Sequence, residues 1–187
     1  MDSTHFIREG IAHITDPGGY DHMLFLLVLY CNLEWQEWKK TIVLISAFTL
    51  GHSITLALAA LNWIALSSYA IELMIATSIL LTAISGLARS YFNRDLGITT
   101  PFLITILFGL IHGAGFSSYF KMIADDSHFL QQLFLFNLGV EIGQLFILAI
   151  LIFLRFLADY FKVGVLANRI VLTLSITLSL LMVIERI

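Results

Sequence analysis

An all-α, polytopic bundle of transmembrane helices is the fold class this sequence predicts, on three observations. Of 187 residues, 59% are hydrophobic and only 12% are charged, against roughly 45–50% apolar residues in soluble domains; the mean hydropathy is +0.92. The apolar residues fall into six runs, each bounded by charges or turn formers, that approach the ~20 residues a helix needs to cross ~30 Å of hydrocarbon. The connections between runs are short throughout, so residues 1–187 read as a single membrane domain.

Before the first run lies Ser3–Ile14. Its Phe6, Ile7, Gly10, Ile11 and Ile14 recur at helical spacing and predict a short N-terminal amphipathic or re-entrant helix, lying at the membrane or dipping into it. Asp16-Pro17-Gly18-Gly19 ends that helix, with Asp16 as cap or turn former. Six spanning helices follow, near Gly19–Leu33, Lys40–Leu61, Ser67–Tyr91, Thr100–Phe120, Phe129–Tyr160 and Val163–Ile184. The first covers only ~22 Å at ~1.5 Å per residue, short of the ~30 Å core. Its outer end is therefore expected below the membrane surface, with the His13–His22 stretch lining a recess open to the outside, because irregular backbone at that depth is tolerated only beside protein or water.

Charge sets orientation and excludes partners. Lys39, Lys40, Arg89, Arg94, Arg155, Lys162 and Arg169 flank one set of helix ends, against Arg8, Lys121 and Arg186 on the other, which predicts both termini outside. No basic segment followed by an apolar one opens the chain, so no cleavable leader is expected. A net charge of −3 without a basic block argues against nucleic acid as a partner. The single cysteine, Cys31, excludes an intramolecular disulfide and a multi-thiolate metal site.

Ionisable side chains at membrane depth cost several kcal/mol and mark functional sites. His22 lies 12 residues from Glu34, His52 lies 12 from Lys40, His112 lies 12 from Thr100 and Glu141 lies 14 from Arg155. These separations amount to ~18–21 Å from the inner edge in all four helices, so the four groups are expected in one layer. Asp21 stands beside His22, and His13 reaches the layer from the re-entrant segment. Together His13, Asp21, His22, His52, His112 and Glu141 form a candidate metal-ligand set, with Thr49, Ser53, Asn137 and Gln144 as supporting residues. Imidazoles with carboxylates suit a divalent transition metal: Ni, Zn, Co, Fe or Mn. Two other readings are interhelical hydrogen bonding without metal and a proton relay. Small residues at Gly109 and Gly113, and at Gly139 and Gly143, permit close helix approach. Few polar residues lie in the inner half, Ser46, Thr82 and Ser85 among them.

Four ordered blocks carry a resemblance: Gly10-Ile-Ala-His13…Asp21-His22-Met-Leu-Phe-Leu-Leu, Ala47-Phe-Thr-Leu-Gly-His52-Ser-Ile-Thr-Leu, Phe108-Gly-Leu-Ile-His112-Gly-Ala-Gly-Phe and Phe136-Asn-Leu-Gly-Val-Glu141-Ile-Gly-Gln-Leu. Together they resemble the HupE/UreJ family of membrane proteins, in its broader branch rather than the form tied to hydrogenase operons, since seven residues separate His13 from Asp21. The resemblance implies a permease for nickel or a related metal in a bacterial inner membrane, with the six candidate ligands handling the ion. A rival expectation is an intramembrane zinc-dependent metallohydrolase in which Glu141, Asp21 and Ser53 would be catalytic. A third is a metal-binding accessory subunit that acts with a partner protein or as a homo-oligomer.

Overall fold

The computed structural model describes residues 3–33, 35–65, 67–92 and 99–187; Glu34 and Arg94, used above as an edge marker and an inner-side charge, lie outside them. Eight α-helices and no strand occur among the described residues: α1 (Ser3–Thr15), α2 (Tyr20–Cys31), α3 (Trp38–Ala60), α4 (Ser68–Phe92), α5 (Thr99–Gly115), α6 (Ser117–Ile123), α7 (Phe129–Tyr160) and α8 (Gly164–Ile184). The apolar runs and the N-terminal amphipathic segment therefore reappear as helices with ends close to those expected. Two helix ends have a clear local cause. Asn62 and Lys162 adopt left-handed φ values of 59° and 58°, and the Trp63 and Val163 amides bond back to the Leu58 and Ala158 carbonyls, closing α3 and α7 in Schellman motifs.

Four helices, α3, α4, α7 and α8, are long and apolar enough to cross a membrane. The expected fourth span is split: α5 and α6 meet at a 54° bend beside Phe116, and the pair makes at most a fifth crossing. The bend follows a Gly113-Ala-Gly115 sequence, where α5 has little side-chain bulk to hold a straight course. α2 has 12 residues, ~18 Å of helix, and is too short to span ~30 Å alone. Against six expected spans, the described residues thus show four continuous spanning helices, up to five with the bent α5–α6 pair, and the first run as a shorter helix.

Close helix contacts hold the bundle. α3 and α5 run side by side, and a Cβ at Gly51, Gly109 or Gly113 would overlap the backbone of the facing helix; at Gly113 the overlap is with the carbonyl oxygen of His52. α1 does not lie flat at the surface but packs along α7, where Gly10 meets Phe136 and Gly139 meets Ile7, backbone against backbone. Phe6, Gly10 and Ile14, one face at four-residue spacing, are buried there. The apolar core has two parts, one including Phe25, Val28, Phe48, Ile79 and Leu172 and one including Phe6, Ile14, Ile45, Phe120 and Phe136. The histidines lie where these parts adjoin.

Candidate metal centre

Both helix interruptions deliver imidazoles. α1 carries His13 in its last turn; the chain then breaks at a single 3₁₀ turn, Pro17–Gly19, capped by Asp16, whose Oδ1 accepts from the Gly18 amide at 2.9 Å. α2 starts immediately afterwards and presents His22 in its first turn. α5 carries His112 in its last turn before the bend. Only His52 comes from the middle of a continuous helix, α3. Ring centroids lie 4.5 Å apart for His13 and His22, 5.1 Å for His22 and His112, and 5.7 Å for His13 and His52. One nitrogen from each of His13, His22 and His52 lies within 4.8 Å of the others.

Hydrogen bonding fixes the tautomers of three rings. His22 Nδ1 lies 3.0 Å from Asp21 Oδ1, and His112 Nδ1 lies 2.8 Å from the Phe108 carbonyl oxygen. His52 Nδ1 lies 3.4 Å from Asn137 Oδ1, and Asn137 Nδ2 donates to the Leu133 carbonyl at 2.8 Å, which orients the amide. Each partner oxygen is an acceptor, so each Nδ1 carries the hydrogen and each Nε2 keeps its lone pair. The Nε2 atoms of His13, His22, His52 and His112 are all buried without a hydrogen-bond partner. His52 and His112 are 0% and 1% exposed. Buried polar atoms are normally satisfied, and several lone pairs crowded into one apolar space repel unless a cation lies among them. The donor set, with Nδ1 held and Nε2 offered, is that of metal-ligating histidines whose second nitrogen is oriented by a carboxylate, amide or carbonyl.

A recess of about 410 Å³ leads to the cluster. His13, His22 and His112 line it together with Asp16, Asp21 and Glu72. Glu72, in the first turns of α4, accepts from Arg186 Nε at 3.1 Å. Aromatic rings close the other sides. Phe116, at the α5–α6 bend, lies 3.9 Å from the His13 ring, and the His52 ring stacks with Phe48 and Phe136 at 6.2 and 6.4 Å.

Among the expected ligands, the four histidines come together and Asp21 sits directly behind one of them. Glu141 goes elsewhere: its carboxylate accepts from Ser46 Oγ at 2.6 Å. Ser46 precedes His52 on α3 by six residues, roughly 9 Å along the axis and ~240° around it, so the pair sits on another flank of α3. Among the expected supporting residues, only Asn137 reaches a histidine. Thr49 donates to Gln144 Oε1 at 2.8 Å, tying α3 to α7, and Ser53 donates to the Thr49 carbonyl of its own helix at 2.6 Å. Phe116 and its aromatic neighbour Phe136, which sequence reasoning did not single out, wall the cluster. The signal for Phe116 was its place directly after the glycine-rich end of α5.

Neither the comparison with curated proteins nor that with solved structures gives a match. A protein-family model, the HupE / UreJ protein, matches residues 1–185. With that full-length match and its apolar helices, this integral membrane protein belongs to the HupE/UreJ family.

Proposed function

We propose that this protein is a permease for a divalent transition metal ion, with nickel the favoured cargo given the family's association with nickel and metal transport. One observation carries the reading: four imidazoles offer buried, unpartnered Nε2 atoms, and three of them, His13, His22 and His112, line a recess. The ion enters past Asp16, whose carboxylate lines the recess and attracts cations, and exchanges hydration water for imidazole nitrogen. Asp21, Asn137 and the Phe108 carbonyl keep the rings aimed, so little ordering is left for the moment of binding. Nickel, zinc and cobalt suit this nitrogen set better than manganese or magnesium do.

In the membrane, α1 and α2 together form one broken span and α5 with α6 a second, which with the four continuous helices makes six crossings. Transporters commonly place their sites at such interruptions, near the midplane. The recess faces outward, as do both termini, by the excess of Lys and Arg at the opposite ends. Hydrolysis is less well supported, since Ser53 is bonded to its own helix and Glu141 lies with Ser46, leaving Asp21, already bonded to His22, as the carboxylate nearest the rings. The test is uptake of nickel by proteoliposomes beside metal analysis of the purified protein. Uptake that His52→Ala and His112→Ala abolish supports the permease. Tight zinc without uptake rejects it in favour of an enzyme or an accessory subunit.

A further inference from the structure

Among the described residues, the recess that leads to the histidines is lined by three carboxylates, Asp16, Asp21 and Glu72, and by no lysine or arginine. Each carboxylate meets a different donor. Asp21 faces His22 Nδ1 and Asp16 accepts from the Gly18 amide, whereas Glu72 is held by a permanent positive charge that reaches it from outside the lining. α8 supplies that charge. It packs antiparallel to α4: Arg169, near its start, reaches the Ser90 carbonyl near the end of α4, and Arg186, just past its own end, reaches Glu72 in the second turn of α4. Arg186 Nε donates to Glu72 Oε2 at 3.1 Å while Nη1 donates to the Met182 carbonyl at 3.0 Å, which anchors the guanidinium to the last turn of α8. The Glu72 side chain is 55% exposed and that of Arg186 27%. An ion pair so open to water adds little to stability; its consequence is electrostatic, the cancelling of one charge at the mouth of the recess.

We infer that Arg186 sets the cation selectivity of the recess: by neutralising Glu72 it keeps that carboxylate from joining Asp16 in holding hard divalent cations, calcium and magnesium, on the way to the rings; this deepens the permease reading and rests on it for the cargo. Carboxylate oxygens are the ligands of calcium and magnesium, whereas imidazole nitrogens suit nickel, zinc and cobalt. Both kinds of donor line this one recess, so an ion lodged among the carboxylates blocks the approach to the histidines. Asp21 is engaged by His22 and Glu72 by Arg186, which leaves the Asp16 carboxylate to draw cations in. One carboxylate attracts a divalent ion by its charge but supplies few of the roughly six to eight oxygens that calcium takes. A cation that favours nitrogen therefore moves on to the rings, and one that favours oxygen leaves again. Arginine suits the task, because its charge is permanent and its planar fork matches a carboxylate.

Calorimetric titration of the purified full-length protein with calcium chloride tests this without relying on transport. Arg186→Gln is expected to gain a calcium site that the parent lacks; Arg186→Lys, which keeps the charge, gains none, and Arg186→Gln combined with Glu72→Gln loses the site again. Should Arg186→Gln fail to fold, Arg186→Met, which keeps the stem without the charge, takes its place. In nickel titrations, millimolar calcium should weaken binding to Arg186→Gln by about 3- to 10-fold and leave that of the parent unchanged. Equal calcium binding by the parent and Arg186→Gln, or a new site that survives Glu72→Gln, overturns the role of Arg186. Nickel separates the two ideas. A calcium site that comes with Arg186→Gln and goes with Glu72→Gln, in a protein that binds no nickel, keeps the exclusion of calcium and rejects the nickel permease. Nickel binding to Arg186→Gln that calcium leaves untouched keeps the histidine site and rejects control of selectivity by Arg186.

Discussion

The interrupted helices and the continuous ones do different work in this bundle. α3, α4, α7 and α8 run unbroken and supply long apolar faces, whereas α1–α2 and α5–α6 break at the same place, beside the histidines. Three of the four imidazoles sit within one turn of a break, and the fourth, His52, is held by a close contact with α5 at Gly113. A continuous helix satisfies its own backbone and presents side chains to lipid or to neighbours; a break opens space at depth and turns helix ends toward it. The continuous helices are thus the frame, and the interruptions make the site.

Substitutions can sharpen or break that division. The largest effect is expected at the rings: His52→Ala or His112→Ala should weaken nickel or zinc binding by about 100- to 1,000-fold, given the ~10–16 kcal/mol that four ligands supply in structural zinc sites. Calorimetric titration of the purified protein checks this, and affinities within threefold of the parent's would mean that the rings hold no metal. Gly113→Ala comes next, because the added methyl meets the His52 carbonyl; a loss of about 1–3 kcal/mol of stability is expected, read as a lower melting temperature in detergent together with weakened metal binding. If melting falls while affinity stays, the α3–α5 contact is frame only. Asp21→Ala removes the acceptor behind His22 and should cost about 10–100-fold in affinity, with Asn137→Ala at the lower end of that range because its contact is longer, 3.4 Å against 3.0 Å. The smallest effect belongs to Glu141→Gln, which keeps a partner for Ser46 and should leave affinity unchanged; a tenfold loss there would return Glu141 to the ligand set.

The contrast between His52 and Glu141 shows what residue counting can and cannot locate. Counting from charged helix edges measures depth, and it grouped His22, His52 and His112, which the structure brings together. The same count assigned Glu141 to their layer, but depth says nothing of direction around a helix axis. Asn137 and Glu141 are four residues apart, about 40° in azimuth, and that offset together with the crossing of α7 over α3 sends one toward His52 and the other toward Ser46. α1 was legible as a helix because its apolar residues repeat at helical spacing. Its docking on α7 was not, since a short amphipathic helix presents the same pattern to a lipid surface and to another helix. The small-residue pairs on α5 and α7 announced close approach without naming the partner.

The sequence by itself determined the helical membrane class, most helix boundaries, the break at Asp16–Gly19 and which side chains are costly enough at depth to require a reason. These are local properties, set by apolar runs, turn residues and capping groups within a few positions of one another. Only the tertiary structure decided that four imidazoles share one space, that Asp21 and Asn137 stand behind the rings and that Glu141 points elsewhere. Those outcomes depend on rotation about each helix axis, on the 54° bend between α5 and α6 and on glycine contacts between residues far apart in the chain, and a linear pattern of residues specifies none of these directly.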